Sequence, residues 1–255
     1  MNTLTQMKKP IFFESFMGGY LNFSAIIISF ILLQSIQLVI GIEDTNESSF
    51  PKAIDLGGGC YDFGGVLIDR KKTTISFDAK CNQTSGLVEY ALVHESGKIH
   101  ESLFQTHIPP RWVHACLLLL KAKPYLDFFD ANITLETIKE VIETQGCKVD
   151  ILVFWDHSGE SKTLDIASMV YNQISARTLD ARPFIFTGSR TFHGAYMAER
   201  DGSIIAIYHD INAVINSVDI ESASDDSWVA IHSSMPPLDQ KVRFQIKVRP
   251  QFSKN

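Results

Sequence analysis

The sequence predicts an α+β fold: a largely antiparallel β-sheet with two or three helices, preceded by an N-terminal hydrophobic export segment. Three observations carry this expectation. Segments such as KVRFQIKV (241–248) and TTISFDAK (73–80) alternate apolar with polar residues, the period of a half-buried strand. The dipeptides Ser96-Gly97 and Asp201-Gly202 sit between such segments and read as hairpin turns, which make neighbouring strands antiparallel. Helical spacing of apolar residues is confined to a few stretches.

The chain begins with its strongest signal. From residue 16 to 42 there is no charged residue, Lys8 and Lys9 precede this run, and Glu43, Asp44 and Glu47 follow it. A basic flank before an apolar segment keeps the N-terminus inside and sends the rest out. Residues 1–41 are therefore read as a signal peptide cleaved before Ile42 or as a retained N-terminal membrane anchor. Residues 42–55 are polar and read as a linker. No glycine- or proline-rich break divides residues 56–252, so they are expected to form a single domain.

Within that domain the glycine-rich LGGGCYDFGG (56–65) reads as irregular chain, lacking the G-K-[ST] ending of a phosphate loop. The segment 86–106 reads as a hairpin turning at Ser96-Gly97. Its assumed two-residue loop places Glu101 on an apolar face with Val88, Tyr90, Leu92, Ile99 and Leu103. Pro109-Pro110 can open a helix running to about Lys121, with Val113, Cys116, Leu117 and Leu120 on one stripe and Pro124 as its stop. A second helix is expected over 134–146, ending at Gly146. Strands follow at 149–155 and 184–189, with the spacing over 164–174 favouring a helix. A hairpin at 195–209 turns on Asp201-Gly202, and strands at 227–233 and 241–248 close the chain.

Composition excludes some functions. Net charge is −6, and no basic stripe suggests a nucleic-acid partner. Cys60, Cys81, Cys116 and Cys147 are widely spaced, with no C-x-x-C pair, so zinc-ribbon and iron–sulfur readings have no support. Two disulfides or buried free thiols both remain open. Asn46, Asn82 and Asn132 each head an N-x-[ST] triplet.

Glu101 is the most informative candidate residue. A carboxylate on an apolar strand face needs a cation, a metal or a proton. Arg111 and His114 open the next element, so an ion pair there is one solution. The functional alternative is a metal or acid–base site built from His100, Glu101 and His114; it would need a bulge, since neighbours in a strand face opposite ways. In FTGSR (186–190), Thr187, Ser189 and Arg190 stand beside a glycine and could hold an anion on backbone N–H groups, against the alternative of a tight turn.

Three stretches, GLVEYALVHESGKIHESL…HACLLLL, FTGSRTFHGAYMAERDGSIIAIYHDINAVIN and PPLDQKVRFQIKVRP, together resemble the YdjY-type domain of bacterial exported proteins. The likeness runs from about Tyr61 to Pro250. In family terms, GK-x-HES falls on Gly97, Lys98, His100, Glu101 and Ser102, and FTGS on residues 186–189. The stretch around ITLETIKEVIETQ looks like local elaboration. The resemblance implies a functionally uncharacterised domain in the periplasm or on the outer face of the inner membrane. Ferredoxin-like cysteine clusters of some relatives are missing here. The expected function is a non-catalytic module binding an envelope component or small ligand, touching membrane only through an uncleaved N-terminal segment. No cofactor is expected. The alternative is a metal-assisted, hydrolase-like enzyme using His100, Glu101 and His114 with a divalent metal.

Overall fold

Alternation along the sequence becomes alternation of burial. In Lys241–Val248, Val242, Phe244, Ile246 and Val248 are buried while Lys241, Arg243 and Lys247 are exposed. In Cys147–His157 every second residue from Cys147 to Trp155 is buried. The computed structural model describes residues 50–130, 147–179 and 184–249. The expected export segment and the helix expected over 134–146 lie outside the described residues.

In chain order the strands are β1 (Ile54–Gly57), β2 (Cys60–Phe63), β3 (Val66–Asp69), β4 (Thr74–Cys81), β5 (Tyr90–His94), β6 (Ser102–Thr106), β7 (Cys147–His157), β8 (Glu160–Asp165), β9 (Val170–Asn172) and β10 (Arg177–Thr178). They continue as β11 (Phe184–Phe186), β12 (Thr191–Phe192), β13 (Ala195–Tyr196), β14 (Ser203–Ala206), β15 (Ile215–Ser217), β16 (Trp228–Ala230) and β17 (Lys241–Val248). Two α-helices occur among the described residues, α1 (Pro110–Leu119) and α2 (Met197–Asp201).

The α+β expectation is corrected by the topology. Strands run β4-β17-β7-β11-β15-β14-β5-β6, and β6 pairs back onto β4 through Lys80↔Gln105 and Cys81↔Phe104. That pairing closes an eight-stranded barrel, so the fold is mostly β rather than an open sheet with helices. Pairing is mixed: β14 with β15 and β5 with β6 are parallel, the other barrel pairs antiparallel. Eight strands leave an interior that side chains can fill. Here Phe77 stacks on Phe244 at 6.1 Å and Phe104 meets Phe244 edge-on at 5.1 Å. Closure removes the sheet edges that an open sheet must protect. The meander β1-β2-β3 continues from β4, and β8 adds to the C-terminal half of β7.

Four local expectations fail for identifiable reasons. Residues 86–106 are not a hairpin: β5 and β6 are parallel, with Tyr90 opposite Ser102 and His94 opposite Thr106. The chain turns back through a 3-10 turn at Ile99–Glu101, where Ile99 N–H donates to Gly97 O and Glu101 N–H to Lys98 O. Glu101 is thus not in a strand, and strand alternation does not place it. The hairpin expected at 195–209 is instead β13, α2 and β14; Gly202 is the left-handed C-cap of α2, at φ +70°. The helix expected over 164–174 is a short 3-10 turn, Ile166–Met169, capped by the Asp165 carboxylate on Ala167 N–H, followed by β9. The glycine-rich 56–65 stretch forms parts of β1 and β2 around a turn with three positive-φ glycines, Gly57, Gly58 and Gly59.

Helix α1 starts at Pro110 as expected and buries Val113, Cys116, Leu117 and Leu120. It ends with Lys121 at φ +63°, Ala122 N–H donating to Leu117 O and Lys121 N–H to Leu118 O. These are the two bonds of a Schellman motif, which stops the helix before Pro124 is reached. All four cysteines are free thiols. Burial raises the Cys116 thiol to about 12 and those of Cys81 and Cys147 to about 11, which keeps them protonated. No helix among the described residues is long and apolar enough to cross a membrane.

Candidate functional site: a cleft at the barrel mouth

The residues singled out from the sequence separate into three settings. His100 Nε2 lies 3.3 Å from Glu101 Oε1, and the Glu101 side chain keeps 33% of its exposure. Backbone pairing brings Glu101 beside Glu89, whose N–H donates to Glu101 O. Burial first, and then the Glu101 charge, hold the Glu89 carboxyl above its usual range; Lys98 Nζ, 4.0 Å from Glu89, opposes this.

His114 stands elsewhere. Its Nδ1 lies 2.6 Å from Tyr196 Oη, and its ring meets the edge of Phe186 at 5.1 Å. Burial lowers its pKa, so the ring is held neutral. Arg111 pairs with Glu199, Nε to Oε1 at 3.0 Å. Glu199 also accepts from Arg111 N–H and so caps the start of α1. Among the described residues no three His, Cys, Asp or Glu side chains are arranged to hold a metal ion.

Thr187 and Ser189 are buried and bonded within the fold, and Arg190, though exposed, bonds to the same neighbouring segment. Thr187 Oγ1 is shared between Ala213 O and Val214 O and accepts from Asn216 Nδ2. Ser189, at φ +61°, donates to Asn212 O and accepts from Ala198 N–H. Arg190 Nε donates to Asn212 Oδ1. Asn212 then reaches Asp201, while Asn216 and Asp210 exchange bonds. Tyr90 Oη donates to Asp210 and accepts from Lys98 Nζ. The first two of the three segments resembling the family therefore meet in one hydrogen-bonded web. Gly97 and Gly202 make that meeting possible: a Cβ on Gly202 would stand 2.6 Å from Gly97 Cα. Asn82 is held too, donating to Ser102 O and Ile99 O, which leaves its amide engaged rather than free for a glycan.

At the other end of β7 the situation reverses. From Cys147, opposite Phe186, to Trp155 the strand advances eight residues, roughly 26 Å at about 3.3 Å each. There a cleft of about 640 Å³ opens between the β7–β8 hairpin and residues 232–238. Trp155, Leu164, Met235 and Leu238 supply apolar lining; Lys162, His157 and His232 supply nitrogen. Trp155 and Lys162 are a directly opposed cross-strand pair, so ring and ammonium share one face. Trp155 follows Val153 and Ile151 on the inward-facing side and is 7% exposed, which makes it the floor of the cleft. The segment 232–238 is pinned by Cys81 Sγ donating to Pro236 O and by His232 Nδ1 lying 3.3 Å from Thr84 O.

Sequence reasoning missed this cleft. Trp155 read only as the end of a buried strand, and β8 was hidden inside a segment read in part as helix. The usable signal was Ser158-Gly159 between Trp155 and Lys162, since a tight turn there would bring the ring and the ammonium opposite each other.

The model of the YdjY domain family matches residues 66–247. The chain belongs to the YdjY domain family. No curated protein and no solved structure matches it. The match begins at the first residue of β3 and ends within β17, so it takes in every barrel strand, α1, α2 and the cleft. In this YdjY domain the meander strands β1 and β2 precede the matched region.

Proposed function

We propose that this YdjY domain is an exported, non-catalytic binding module that takes a small ligand in the barrel-mouth cleft. The cleft is the observation that carries the reading. Binding sites in barrels favour the mouth, with an apolar floor and a few polar groups to orient the guest. The cleft has Trp155 as floor and Lys162 and His157 at its side, neither of which has a hydrogen bond or ion pair among the described residues. The export half rests on the uncharged run 16–42 behind Lys8 and Lys9.

Occlusion tests the ligand half. Ser233 lines the cleft and is exposed, so Ser233→Trp should narrow the cleft without unfolding the barrel. Native mass spectrometry of the full chain from its own envelope fraction should show a small-molecule adduct that Ser233→Trp lacks at an unchanged denaturation midpoint. Equal loading of both proteins would remove the cleft from the account. For export, sequencing the mature N-terminus should begin near Ile42, or return an intact N-terminus from the membrane fraction. An intact N-terminus in the soluble cytoplasmic fraction would contradict export.

A further inference from the structure

Resting on the cleft as binding site, we infer that its ligand is a small organic anion with an aromatic or compact apolar body. The argument is one of local charge. The chain as a whole is acidic, with 29 Asp and Glu against 23 Lys and Arg. Yet among the described residues the cleft lining holds Lys162, His157 and His232 and no carboxylate. The acids nearby are occupied elsewhere. Asp156, next to Trp155 and so on the opposite face of β7, accepts from Ser161 Oγ at 2.6 Å. Asp239, just beyond Leu238, pairs with Lys80 at 3.3 Å. Asp165 caps Ala167 N–H, and Asp78 pairs with Arg243. Glu160 shares the hairpin face at its tip, opposite His157, but does not line the cleft.

Lys162 makes no ion pair among the described residues, although it also borders a smaller hollow with Asp78 and Asp156, and strand register holds it on the face of the sheet that carries Trp155. An ammonium in this position favours an anion and disfavours a second cation. Thr84, Ser233 and Ser234 also line the cleft, and their hydroxyls can donate to an anionic group there. The apolar floor of Trp155, with Leu164 and Met235, then selects a body that is flat or compact rather than a bare inorganic ion.

Three water-soluble probes that share one body separate the possibilities: naphthylacetate, naphthylacetamide and naphthylethylamine, titrated calorimetrically into the full chain. Naphthylacetate should bind at a single site about five-fold more tightly than the amide, an effect in the range of one partly exposed charge pair. The amine should bind most weakly. Lys162→Glu, at an exposed strand position, should abolish the preference for the anion and keep the denaturation midpoint. Amide or amine binding as tight as the anion, with Ser233→Trp still blocking all three, would overturn the anionic class and leave the cleft reading intact. Binding that Ser233→Trp does not alter, or no binding by any probe, would overturn both.

Discussion

The two ends of β7 carry similar polar chemistry in opposite states. Opposite Cys147, the hydroxyls of Thr187 and Ser189, the Arg190 guanidinium and the Asn212 and Asn216 amides bond to one another and to the backbone. Beside Trp155, Lys162 and His157 bond to no protein group among the described residues, and they border a cleft. A polar group whose partners are already in the fold adds to stability and specifies the packing. One whose partners are absent adds little to stability and is available to a ligand. The difference teaches that the motif most like the family is not by that fact the place where a guest sits.

Substitutions can break or sharpen this contrast. The largest loss should come from Gly202→Val, at the web end. Gly202 has φ +70°, and a Cβ there meets the Gly97 backbone at 2.6 Å, so both strain and a backbone clash operate. Denaturant titration should register a loss of about 3 kcal/mol or more. Asn216→Ala comes next. Asn216 is fully buried, donates to Thr187 Oγ1 and Asp210 O, and accepts from Asp210 N–H. Removing it leaves Asp210 N–H without its partner and takes one bond each from Thr187 Oγ1 and Asp210 O, which keep their bonds to residues 213–214, and should cost roughly 2 kcal/mol. A loss below about 0.5 kcal/mol would mean that water replaces the amide, and the contrast between the ends would weaken.

Acid should destabilise the fold through its buried histidines. Burial depresses the pKa of His114 below 6.5, so the unfolded ring accepts a proton that the folded ring resists. The linked stability is therefore full above the unfolded value and is lost as pH falls below about 6.5. His209, depressed by burial in the same way, acts in the same direction. His114→Gln should flatten the slope of unfolding free energy against pH below about 6.5, leaving the His209 part. An unchanged slope would show that the His114 ring already reaches water. At the cleft end, Lys162→Gln should alter stability by less than about 0.5 kcal/mol, because no protein partner is lost.

Much of the barrel was legible where a strand stands alone. Lys241–Val248 alternates without ambiguity, and the sequence and structural bounds coincide. Closure was not legible, because it depends on which strands pair across long separations: β6 onto β4 through two residue pairs, and β5 beside β6 in parallel. Ser96-Gly97 looks like hairpin chemistry, but Gly97 is there because a side chain would strike Asp201 O and Gly202. Asp201-Gly202 misled for a related reason. A glycine at positive φ serves a helix C-cap as well as a type I′ turn, and sequence alone does not separate the two. Of the candidate site residues, Thr187, Ser189 and Arg190 lie together directly after β11, each bonded to Asn212 or Ala213. His100, Glu101 and His114 were grouped on a strand register that the 3-10 turn at Ile99–Glu101 replaces.

The most direct test of the account is hydrogen exchange of the full chain with and without saturating naphthylacetate. Slower exchange is predicted in residues 152–165 and 232–238, with residues 187–190 and 210–216 unchanged. Protection gained at 187–190 and 210–216, with the β7–β8 hairpin unaffected, would contradict the central claim and move the binding site to the hydrogen-bonded web.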